Sequence, residues 1–220
     1  MTSSWYVIAL WAAVALVFVG LWVSFAGGLV RAARAIWHPR AVAAFARANG
    51  WSYESRGWRP LRPGPPLWSA TSAACSDVVT GFSRGVPFVA YEYAHRAQVV
   101  SIKLPMSLPL LEVRPQGLDS GTTVTVPNVT LESEAFNRRF RVHADDPKFA
   151  SDVLHPRLMQ ALLAPPPLCW RIWGDDLYGW WPGEPAPERI LLYLALLHRI
   201  RDEVPEYVWH DYGLTATPSS

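Results

Sequence analysis

The chain has 220 residues, half of them apolar, with 20 basic and 18 acidic side chains and a formal charge of +2. This leaves room for one membrane segment and one domain of ordinary size, and is too apolar for a disordered chain. The basic residues bunch in one place instead of spreading over a folded face, which argues against nucleic-acid binding.

Residues 5–30, WYVIALWAAVALVFVGLWVSFAGGLV, carry no charge. As a helix they would extend about 39 Å against a hydrocarbon core of about 30 Å, so they are expected to cross a bilayer with tilt. Trp5, Tyr6, Trp11 and Trp22 include candidate interface anchors. A cleaved secretory signal is the competing interpretation, but MTSS has no basic n-region and the positive charges follow the apolar run. Thr2 stands where myristoylation needs glycine.

From Gly28 to Ser76, Arg31, Arg34, Arg40, Arg47, Arg56, Arg59 and Arg62 face Glu54 alone. By the positive-inside rule the arginines nearest the span, in the basic segment 31–37 and at Arg40, put the C-terminal domain on the cytoplasmic side and the N-terminus outside. Cys75 and Cys169 are then expected as buried thiols, and the Asn128 glycosylation triplet as unused.

An α+β domain is expected over residues 38–213, with a mainly antiparallel sheet packed by helices and a frayed tail at 214–220. Pro39 suits a helix start, residues 41–48 have high helix propensity, and Asn49-Gly50 forms a stop. Four prolines and two glycines between Arg56 and Trp68 predict an extended loop, with Trp51, Trp58 and Trp68 as candidates for a membrane interface. Val86–Tyr93 and Ala97–Leu104 read as antiparallel neighbours with turns at Arg84-Gly85 and His95-Arg96. LLEVRP and GTTVTVPNVTLE add further runs.

In FNRRFRVHADDP the strand pattern fits Phe140 to Ala144, while Phe136 and Phe140 could also share a helical face. Asp146-Pro147 and His155-Pro156 each read as the opening of a short helix. LCWRIWGDDLYGWWPG suggests a hairpin turning at Gly174-Asp175-Asp176, its tryptophans lining the sheet under a helix at Pro187–Val204. His198 is expected to be partly exposed on that helix, and PEYVWHDYG to add a turn.

The segment LESEAFNRRFRVHADDPKFASDVLHPRLMQALL, residues 131–163, resembles the central motif of an uncharacterised actinobacterial family of small membrane-anchored proteins. It is more distantly similar to a wider bacterial domain of unknown function with F-x-x-x-F-x-V ahead of an Ala-rich helix and L-x-P. The matching positions are Phe136, Phe140, Val142, Asp146, Phe149, Ala150, Leu154 and Pro156. The resemblance implies a single membrane helix and this architecture, and leaves the activity open.

Two function classes follow. The first is a non-enzymatic, membrane-anchored domain binding a protein partner or anionic lipid headgroups. Its candidate contacts are the seven arginines from Arg31 to Arg62 together with Arg138, Arg139 and Arg141, and it is compatible with an accessory role in an envelope assembly. The second is a metal- or His/Asp-dependent enzyme built on His143, Asp146 and His155. Their spacing, even with Asp145 added, matches no specific metal motif, and no nucleophile elbow or phosphate-binding loop is present, so no cofactor is expected.

Overall fold

The computed structural model describes residues 39–57, 75–93, 97–118, 126–164, 167–182 and 186–213. The apolar stretch 5–30 lies outside them. Among the described residues no helix is long and apolar enough to cross a membrane. From Val42 onward the chain forms one compact unit.

Helix α1, described over residues 39–48, ends where Gly50 takes φ +70°. Only its end, and not its expected start at Pro39, can be followed. The strand β1 (Ser52–Gly57) comes next, and only its last two residues, Arg56 and Gly57, fall within the expected loop from Arg56 to Trp68. The rest of that loop, with Arg59 and Arg62, is outside the described residues.

β2 (Cys75–Ser83) and β3 (Val86–Tyr93) join through Arg84 and Gly85, both at positive φ, the geometry of the tight turn that suits strand twist. β4 (Ala97–Pro115) is one strand of 19 residues where the sequence suggested two. Its prolines fit because the pairing is irregular there, with register shifts between Lys103 and Leu111. The expected turn at His95-Arg96 lies outside the described residues, and of the fourth run only β5 (Asn128–Val129) is a described strand.

α2 (Glu134–Arg139) is capped by Ser133 and gives way to β6 (Phe140–Ala144). Phe136 and Phe140 therefore stack across a helix–strand junction, 4.7 Å between centroids. α3 (Pro147–Val153) starts on Asp146, whose side chain accepts from the Lys148 N–H, and α4 (Pro156–Leu163) starts after His155.

β7 (Cys169–Pro182) is a single 14-residue strand paired along β4, which overturns the expected hairpin. Gly174, at φ +60°, bends the strand opposite Leu108 without reversing it. α5 (Pro187–Glu203) covers the sheet as expected, and α6 (Glu206–Tyr212) is a helix where a turn was expected.

The strands pair antiparallel in the order β1-β2-β3-β4-β6-β5, with β7 also on β4. The fold is thus α+β with a mainly antiparallel sheet. One face carries the main core, where Phe88, Ile102, Leu111, Trp170 and Leu177 meet residues from each of the six described helices. The other face holds a second buried cluster that includes Cys75, Tyr91, Tyr93, Val99, Cys169 and Trp180, all from strands. The tryptophans of β7 consequently divide between the faces, Trp170 and Trp181 toward the helices and Trp173 and Trp180 away from them.

Candidate functional site: the second face of the sheet

Pairing registers place Ser52, Thr80, Val89, Ser101 and Tyr178 in one row across five strands. Side chains in a cross-strand row share a face. All five line an open trough of about 750 Å³, which extends to Tyr91, Phe82, Lys103 and Asp176 and to the corner at Trp51.

The trough's charged groups are fixed by one another. Lys103 Nζ lies 2.9 Å from Asp175 Oδ2 and 3.0 Å from Asp176 Oδ1, and the two carboxylates outweigh burial to hold the ammonium above its ordinary range. Tyr178 donates to Asp176 Oδ2 at 3.1 Å. The Tyr91 hydroxyl is buried with no hydrogen-bond partner among the described residues, and burial, with nearby Cys75, Tyr178 and Asp176, pushes its pKa well up. Trp51 was a membrane-interface candidate in the sequence. It packs instead between Phe45 and Phe88, at 5.9 and 4.8 Å between centroids. Gly81 permits this, because an added Cβ would stand 2.5 Å from the indole.

Further along the same face, in the β4–β7 pair, is a buried ion cluster. Glu112 is fully buried, Arg171 donates to its Oε2, and Arg114 Nε lies 2.5 Å from its Oε1. Arg171 also lies 6.0 Å from the Trp173 ring centroid. Burial lowers the Arg171 pKa against the opposing pull of Glu112, and pushes the Cys169 thiol up to about 12. Both cysteines are free and buried.

The residues singled out in the sequence are scattered over structural roles. His143 Nδ1 donates to the Val126 carbonyl at 3.1 Å, beside a hollow of about 370 Å³ also lined by Arg141, Asn128 and Gln116. Asp146 is committed to the α3 cap, and His155 Nε2 donates to the Glu203 carbonyl at 2.9 Å. Among the described residues no three His, Cys, Asp or Glu side chains converge as a metal site.

Arg139 donates to the Leu163 carbonyl at 2.6 Å, tying α2 to the end of α4. Arg141 donates to Gln116 at 2.8 Å, and Arg138 is exposed near Glu134. Arg40, Arg47 and Arg56 are exposed, Arg47 bonding its own helix at the Ala43 carbonyl. Arg31, Arg34, Arg59 and Arg62 lie outside the described residues. His198 is buried, correcting the expected partial exposure, with Nε2 3.0 Å from Ser83 Oγ.

No family model matches the chain, and no curated protein does. The crystal structure of the mycobacterial trehalose monomycolate transport factor A, TtfA, superposes with a TM-score of 0.64 at 13% identity, over 75% of this chain and 93% of that one. At this identity the likeness is one of fold.

Proposed function

We propose that the chain is a membrane-anchored, non-enzymatic binding domain, held in the bilayer by one helix over residues 5–30 with its N-terminus outside and its folded unit on the cytoplasmic side. The observation that carries this reading is the uncharged 26-residue stretch followed at once by the arginine-rich segment. Each arginine near an anionic surface contributes about 1 kcal/mol of attraction, so several acting together favour an inner leaflet rich in anionic lipid or an acidic protein face. Exposed Arg47 and Arg56 fit that use.

TtfA is a mycobacterial trehalose monomycolate transport factor. By analogy of fold alone, an accessory role beside a membrane transport assembly is the form of binding we favour. The first test is a pair of C-terminal reporters active on opposite sides of the membrane. Cytoplasmic activity is expected, and external activity would overturn both the orientation and the inner-leaflet partner. The lipid arm compares full-length protein in nanodiscs with and without anionic lipid. Slower amide exchange in helix α1 with anionic lipid supports surface binding, and equal exchange rejects it.

A further inference from the structure

We propose that the trough on the second face binds a neutral, polyhydroxylated ligand of the sugar class. This goes beyond membrane docking, and none of the candidate arginines lines the trough. Lys103 is held by Asp175 and Asp176, so among the described residues the trough presents no unpaired cation to attract phosphates or carboxylates.

The floor offers hydroxyls. Ser52, Thr80 and Ser101 each carry a group that both donates and accepts, matching the two-way hydrogen bonding of a polyol. The Tyr91 hydroxyl, buried and without a partner among the described residues, is an arrangement that folded interiors avoid. Its oxygen is closed to solvent in this structure, so a ligand hydroxyl or one bridging water would satisfy it on a small shift of the side chains over it.

The rim offers an aromatic ring that the fold does not use. Phe82 is 70% exposed, yet it sits on β2 two residues before the tight Arg84-Gly85 turn, which fixes its position. Sugars present C–H faces that pack on such rings while their hydroxyls bond polar groups around them. A volume of about 750 Å³ is within the range of small-molecule sites, about 300–1,000 Å³.

The shared chemistry admits two sources, a free saccharide or the headgroup of a neutral glycolipid. The test uses full-length protein in phosphatidylcholine–phosphatidylglycerol nanodiscs. In one arm maltose is added and saturation transfer to its protons is measured by NMR. In the other the nanodiscs contain a neutral diglycosyl diacylglycerol, and amide exchange is followed over residues 80–89 and 99–103.

Transfer to maltose, reduced at least five-fold by Phe82→Ala and also weakened by Tyr91→Phe, supports a site for free sugar. Protection only with the glycolipid, lost in the same variants, supports a headgroup site. No signal in either arm overturns the proposal, as does a signal that both variants leave unchanged. Inorganic phosphate binding in the trough in place of sugar also overturns it. Phe82 is outside the core, so Phe82→Ala is expected to leave the fold intact. The reporter experiment addresses topology alone, so the two proposals fail separately.

Discussion

Replacing Glu112 by Gln keeps the shape of the side chain and removes its charge, which isolates the electrostatic role of the β4–β7 cluster. In the folded chain Glu112 is 0% exposed, Arg171 2% and Arg114 9%. Arg114, at the margin, can turn toward water, whereas Arg171 would stay inside with its guanidinium facing an amide. Removing one partner of a buried pair costs about 3–5 kcal/mol, chiefly because the other charge is left uncompensated. Against a typical total of about 5–15 kcal/mol, that is a large share of stability. Urea unfolding of the full-length protein in detergent, followed through the emission of buried Trp170 and Trp180, measures it. A loss below about 1 kcal/mol at an unchanged denaturant slope would refute the reasoning. The double change Glu112→Leu with Arg171→Met is expected to recover most of the loss, since apolar replacements of similar volume often match a buried ion pair.

Three further outcomes follow from particular sites. Burial, and then Arg84, hold the His198 imidazole below its ordinary value, with Arg201 adding to the shift and Asp202 opposing it. The unfolded chain therefore takes up this proton first. Stability from this site is complete above about pH 6.5 and falls as the pH drops below it, and His198→Gln should flatten that fall in unfolding midpoints measured from pH 7.5 to 5. With its pKa pushed up to about 12 by burial, Cys169 should resist a thiol reagent at pH 8 until denaturant is added, and fast labelling of the native protein would contradict its placement. Gly81→Ala would put a Cβ 2.5 Å from Trp51 Cδ1 and 3.1 Å from Phe88 Cε1, so a loss of about 1–3 kcal/mol is expected in the same urea assay.

Local signals were legible where the backbone itself demands a residue type. Asp146-Pro147 and His155-Pro156 open helices because a non-helical residue followed by proline suits the first turn, and Gly50 ends α1 because φ +70° favours glycine. Arg84-Gly85 was readable for the same reason. Signals that depend on partners were not. Asn137 illustrates this, since its amide both donates to and accepts from the Leu131 backbone, at 2.6 and 3.1 Å, a bond set by the loop before α2 and not by any periodic pattern. α6 is short, and Val208 is its buried residue, so its helical form rests on packing more than on an apolar repeat.

The difference between the expected hairpin and the continuous β7 has a physical cause that also hid the site. A two-residue period assigns a strand's residues to faces only while the register holds, and one bulge inverts every assignment after it. In β7, Trp170 and Ile172 face the helices before Gly174, and Leu177 and Trp181 do so after it, so even positions give way to odd ones. β4 makes the same change between Leu108 and Leu111. An alternation broken at Gly-Asp-Asp looks like a turn in the sequence, whereas two paired strands that shift together bend the sheet and continue. That continuation brings Asp176 opposite Lys103 and Tyr178 opposite Ser101, which puts polar groups from residues more than 70 positions apart into one trough. The visible trace in the sequence was the placing of Glu112 and Arg171 inside otherwise apolar strands. A charge in such a position calls for an opposite charge on a neighbouring strand, and pairing LLEVRP with CWRIW on that criterion would have recovered both the cluster and the continuous β7.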